Sequence, residues 1–196
     1  MPETRTGNPG DAAPLEDIRV LDLTRLLPGP VCTLYLADLG ADVVKVEDTG
    51  PGDYARHLGN RPGTVSAFFR AVNRNKRSIA LNLKDARGRD AFLALATSAD
   101  VIVESFRPGV VSALGVDYEA VAAINPRIVY AAISGYGQTG PRAHVAGHDI
   151  NYLGYAGVLD QTGAREGPPV LCNLQIADLL GGAASAAIAL LAALLG

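Results

Sequence analysis

The sequence predicts an α/β fold, a parallel sheet with flanking helices. Three observations lead there. Short β-branched runs alternate with helical patterns, turn-forming residues separate them, and the composition is that of a compact domain. Strand–helix alternation builds βαβ units, whose crossovers are right-handed and whose strands run parallel. With 196 residues, 48% of them hydrophobic and 19% charged, the chain can bury one sizeable core.

Residues 1–17, MPETRTGNPGDAAPLED, are polar and proline-rich and read as a disordered leader without the apolar centre of a signal peptide. Residues 18–196 read as one domain. Strands are expected over 18–23 (IRVLDL), 42–47 (DVVKVE), 78–83 (SIALNL), 100–104 (DVIVE) and 128–134 (IVYAAIS). Helices are expected over 30–39, 65–72, 86–98 behind Asp85, and 118–124 behind Asp117, the two aspartates serving as N-caps. Ligands of such sheets gather beyond the carboxyl ends of the strands, which directs attention to loops 24–30, 48–63, 105–109 and 135–141.

A net charge of -3 offers no general attraction for nucleic acid or an anionic membrane, so any anion site must be local. Two distant cysteines, Cys32 and Cys172, make neither a disulfide framework nor a metal cluster. A reducing, cytoplasmic setting is expected. Residues 179–196 are uncharged and nominally long enough to span a bilayer. Alanine and glycine dominate them, which suits close helix packing inside a protein, so a packed helix rather than a span is expected. The helical pattern is still running at the last residue, and a longer domain is the corresponding expectation.

Residues 135–140, GYGQTG, fit the dinucleotide pattern G-x-G-x-x-G, but Pro141 follows where a helix should open. Gly135, Tyr136 and Gly137 are better read as a tight turn shaping a pocket. Asn75, Lys76 and Arg77, inside NRNKR, read either as a solvated turn or as an anchor for phosphates, which Arg107 of FRPG could join. His148 and Asp178 are ionisable groups in apolar, glycine-rich surroundings. Each also has a structural reading: a satisfied histidine near a helix start, and the N-cap of the apolar helix. Asp149 adjoins His148 but cannot face it on a helix, and reads as a cap or a supporting acceptor.

Taken in order, RVLDLTRLLPGP, LADLGADVVKVE, NRNKRSIALNLK, DVIVESFRPG, SGYGQTGP, AGHDINY and ADLLGG carry a family resemblance. The chain resembles the class III CoA-transferases, the CaiB/BaiF group, and within it the α-methylacyl-CoA racemases. That resemblance implies a Rossmann-like large domain, a parallel sheet with flanking helices, and an acyl-CoA thioester substrate, CoA being part of it, with no permanently bound cofactor and no metal. It also implies an interlocked homodimer, and members longer than this chain that hold a small domain and a further catalytic glutamate. In the racemase branch His148 and Asp178 would be the two bases of a 1,1-proton transfer through an enolate, with Asp149 beside them. In the transferase branch the aspartate at 178 would instead be the nucleophile, passing through mixed-anhydride and thioester intermediates.

The same resemblance places Asn75, Lys76, Arg77 and Arg107 near the CoA phosphates and Tyr152 along the acyl pocket. Position 148 makes racemisation the leading expectation, with CoA transfer as the alternative. A third reading is a fragment that binds CoA or dimerises without catalysis.

Overall fold

The computed structural model describes residues 12–60 and 63–196. Five strands, β1 (Arg19–Asp22), β2 (Asp42–Glu47), β3 (Arg77–Ala80), β4 (Val101–Glu104) and β5 (Val129–Ala132), form one sheet in the order β3-β2-β1-β4-β5. Every pairing is parallel. The helices are α1 (Pro28–Asp38), α2 (Ala67–Val72), α3 (Ala86–Ala96), α4 (Val110–Leu114), α5 (Tyr118–Ala122), α6 (Asp149–Tyr155) and α7 (Ser185–Leu195). A wide π-helical segment, Ala177–Ala184, runs directly into α7.

Alternation along the strands divides the core in two. Val20, Val43, Val101 and Val103 point to one face, where they meet Cys32 and Leu36 of α1 and Ala187 and Leu190 of α7. Leu21, Val44 and Ile102 point to the other, against Phe92 of α3, Val111 of α4 and Val121 of α5. Helix starts follow side-chain capping: Ser66 accepts from the Phe69 amide, Asp85 from Arg87 and Asp117 from Ala120. Pro28 opens α1, where a missing amide proton costs nothing.

The expected strands and long helices are present: β2 has the expected bounds, β3 and α1 begin earlier than expected, and most other ends are shorter. Helix α4 and a 3₁₀ turn over Tyr54–His57 were not expected from periodicity, since each is too short to show one. The fold also begins earlier than residue 18: the Leu15 amide donates to the Leu39 carbonyl at 3.0 Å and its side chain packs on the first core cluster. Residues 1–11 of the expected leader lie outside the described residues. The helix Ala177–Leu195 is long and apolar enough to cross a membrane by length and composition. Here Ala183, Ala187 and Leu190 face the core, while Leu180, Ile188 and Leu195 are exposed.

Buried charge ties the sheet to its loops. Lys45 of β2 and Lys76 before β3 both have side chains 1% exposed and flank the fully buried Asp22 of β1. Lys76 Nζ lies 3.0 Å from Asp22 Oδ2 and also donates to the Pro30 carbonyl, Thr33 Oγ1 and Asn73 Oδ1. Lys45 Nζ donates to the Thr24 carbonyl at 2.8 Å and lies 3.0 Å from Asp53 Oδ2. Burial alone would raise the Asp22 carboxyl, but the two ammonium groups and the Thr24 and Thr33 hydroxyls outweigh it and hold it at about 2. Glu47 is likewise held at about 2, burial being outweighed by bonds from Arg56, the Asp53 amide and Ser78.

Both carboxylates therefore contribute stability that is present above their ordinary values of 3.8 and 4.5 and is lost as pH falls toward about 2. Asp22→Asn should lower unfolding stability by about 3–5 kcal/mol, because it strands two buried cations. A fall in the urea midpoint checks this, and the gap between variant and wild type should close on acidification.

Glu104 at the end of β4 has the opposite sign. Burial pushes its carboxyl up to about 7, and the bond accepted from the Phe106 amide at 2.6 Å only partly offsets it. A raised carboxyl stabilises the fold fully below its ordinary value of 4.5, and that contribution is lost as pH rises through about 7. Glu104→Gln keeps an acceptor for Phe106 and removes the charge. Its melting temperature should exceed that of wild type at pH 8 and match it at pH 5.

Candidate active site

The sheet order reverses between β1 and β4, and in parallel sheets that reversal opens a crevice beyond the strand ends. A cleft of about 840 Å³ lies there, walled by the loops after β1, β4 and β5 and by the starts of α6 and the π-helical segment. The first wall depends on the buried charges beneath it. Leu26 holds a left-handed φ of 66°, uncommon for a branched side chain, and its amide donates to Asp53 Oδ1 at 3.0 Å. Asp53 is itself fixed by Lys45 and by the Ala55 amide. The neighbouring Arg25 amide donates to Ser105 Oγ, joining this loop to the one after β4.

Arg25 extends over the cleft. Its guanidinium donates to Tyr54 Oη and Asp48 Oδ2 and sits 5.3 and 5.2 Å from the Tyr54 and Phe106 ring centres. Arg107 lines the cleft as well, so two permanent cations border a space otherwise walled largely by small and apolar residues. Such a mouth suits an anionic, phosphate-bearing ligand.

The opposite wall is built around Tyr152. Its hydroxyl donates to the Gly147 carbonyl at 2.8 Å, and a Cβ at Gly135 would fall 2.2 Å from that hydroxyl oxygen. Glycine at 135 is thus a matter of space. Tyr136 packs edge-on against Tyr152 and Tyr155 at 5.2 and 5.6 Å, supporting the wall without lining the cleft.

His148 stands just before α6, where its amide donates to Asn151 Oδ1, and its exposed side chain borders the cleft. Asp178 lies in the first turn of the π-helical segment, half-buried. Its amide donates to Asp149 Oδ1 at 2.9 Å, so Asp149 caps that helix start from a distant element and Asp178 is not the N-cap. Burial raises the Asp178 carboxyl above its ordinary value, the Asp149 charge adds to this, and His148 opposes it. A second cavity of about 310 Å³ shares His148 and Asp178 with the cleft.

Of the residues singled out by sequence, His148, Asp178, Arg107, Gly135 and Tyr152 meet at the cleft, and Asp149 sits directly behind. Gly137 occupies the turn, with φ 83°, and no helix opens after GYGQTG until α6. Asn75, Lys76 and Arg77 correct the phosphate-anchor reading, since none of them lines the cleft. The Lys76 ammonium is enclosed by four protein acceptors. Arg77 pairs with Asp42 at the other end of the sheet, and Asn75 turns with φ 62° to donate to Asp38. The sequence reading missed Arg25, Tyr54 and Phe106: all three fall in loops expected to bear ligands, but no spacing distinguishes them there. Among the described residues no group of His, Cys, Asp or Glu side chains is clustered to hold a metal.

Residues 15–196 match the model of CoA-transferase family III. A succinyl-CoA:glutarate CoA-transferase of Mus musculus is 47% identical over 170 residues, covering 86% of this chain and 39% of the relative. An acetyl-CoA:oxalate CoA-transferase of Acetobacter aceti is 45% identical, covering 93% and 46%. A crystal structure of a CaiB/BaiF family protein from Brucella suis superposes with a TM-score of 0.88 at 38% identity, covering 93% of this chain and 49% of that one. The chain thus spans less than half the length of these relatives. Sequence match, sheet order and a cleft at the strand ends agree, and the chain belongs to CoA-transferase family III.

Proposed function

We propose that the cleft binds an acyl-CoA thioester and that Asp178 is the nucleophile of CoA transfer between carboxylic acids. The observation that carries this reading is the placement of Asp178: a half-buried carboxyl, raised by burial and by Asp149, on the border of a cleft edged by two arginines. Raising a carboxyl makes its anion the stronger nucleophile. A carboxylate oxygen of Asp178 attacks the thioester carbonyl, the C–S bond breaks, and CoA leaves as the thiolate with an acyl–aspartyl anhydride remaining. The thiolate then attacks the Asp178 carbonyl and releases the donor acid, leaving an aspartyl-CoA thioester. An acceptor carboxylate reverses both steps: it attacks the aspartyl carbonyl and expels the thiolate, which takes the new acyl group and frees Asp178. Arg25 and Arg107 suit the CoA phosphates, and CoA leaves as part of the product.

The named relatives support transfer over the racemisation first expected from the sequence. Racemisation keeps one specific observation in its favour, since His148 borders the same cleft as Asp178. In that reading one side chain removes the α-proton and the other returns it on the opposite face. A homodimer is proposed as well, because a partner would cover the exposed Leu180 and Ile188.

The full-length protein incubated with an acyl-CoA and then hydroxylamine should yield a hydroxamate at Asp178. Asp178→Asn should abolish the adduct and lower kcat by about a thousandfold or more. Adduct formation should fall as pH drops through the raised Asp178 value, a higher pH than an ordinary aspartate would give. Deuterium entering the α-position in D2O without an acceptor acid, in the absence of any adduct, would replace transfer with racemisation.

A further inference from the structure

Asp178 and His148 border two spaces at once: the large cleft with its arginines, and the smaller cavity of about 310 Å³. A thioester carbonyl under attack by Asp178 has two substituents, CoA on one side and the acyl group on the other. The two spaces differ in chemistry. The cleft carries Arg25 and Arg107, whereas no lysine or arginine borders the smaller cavity among the described residues.

Ile150, Leu153, Leu159 and Ile176 give the smaller cavity its apolar lining. Its acidic members are two carboxylates, Asp149 and Asp178, and His148 is its one imidazole. A second carboxylate on the acyl group would lie against this apolar lining and beside like charge, with no lysine or arginine on the border among the described residues to pair with it. The succinyl, glutarate and oxalate groups in the relatives' names each bring such a second carboxylate.

We propose that the smaller cavity receives the acyl group and selects one that is apolar beyond its carbonyl and carries no second carboxylate. This rests on CoA transfer at Asp178, and the pair of probes is chosen to separate the two claims. Butyryl-CoA and succinyl-CoA have equal chain length and differ at the far end, methyl against carboxylate. Leu171 borders the cavity and is 68% exposed, so it accepts a charged replacement without disturbing the core.

With the full-length protein, kcat/KM should favour butyryl-CoA over succinyl-CoA by about tenfold or more, and Leu171→Arg should move that ratio about tenfold toward succinyl-CoA. Equal or better use of succinyl-CoA by the wild type, with the Asp178 adduct still formed, overturns the acyl-group inference and leaves transfer intact. If neither thioester marks Asp178, the transfer reading falls and this inference with it. The wild-type comparison decides the matter even if the arginine variant fails to fold.

Discussion

The rest of the structure depends on the burial of Asp22 between Lys45 and Lys76. Three charged side chains inside a sheet are a liability unless they are paired, and here the pairing joins elements that share little else. Asp22 belongs to β1, Lys45 to β2 and Lys76 to the turn before β3, while Thr33 and the Pro30 carbonyl bring in α1. An apolar pack of similar volume would stabilise as well. What it would not do is fix a loop, and this network does so through Lys45, which holds both the Thr24 carbonyl and Asp53.

That coupling carries the argument from core to cleft. Asp53 accepts the Leu26 amide, and Leu26 is held in a left-handed conformation of the kind that survives where its surroundings over-determine it. Gly29 allows the same loop to close, since a Cβ there would lie 2.2 Å from Thr24 Cβ. The loop after β1 therefore meets the loop after β4 in one arrangement, with Arg25 over Tyr54 and Phe106. The sheet reversal supplies the crevice; the buried charges determine which side chains border it.

This division explains what the sequence could show. Strands β1, β2 and β4 are legible because burial on both faces demands short runs rich in Val, Ile and Leu, and helices α3 and α5 because an aspartate precedes each. His148, Asp149 and Asp178 are legible because charge in an apolar context asks for a reason. Lys76 misled because a run of cations looks the same whether it meets solvent, phosphate or a buried aspartate; its partner Asp22 is 54 positions away. Arg25 escaped notice for the converse reason, as its significance comes from Tyr54 and Phe106, which only folding places beside it.

Asp178 also shows why the helix that bears it begins as it does. First-turn amides lack partners within a helix, and the positive end of the helix stabilises nearby anions. Asp149 accepts the Asp178 amide and takes the role of a cap, which leaves the Asp178 carboxylate free of capping duty and turned to the border of both cavities. Two effects then oppose each other at that carboxylate. The helix end would lower its proton affinity, while burial and the Asp149 charge raise it, and the balance falls on the raised side. The wide π-helical turns at Ala177–Ala184 belong to the same arrangement, because such turns re-aim side chains that a regular α-helix would direct elsewhere. In the CoA transfer proposed for Asp178, its carboxylate becomes anhydride, thioester and carboxylate again, and must tolerate loss of its charge at each turn. A site where that charge is already disfavoured makes the neutral, acylated states less costly by comparison.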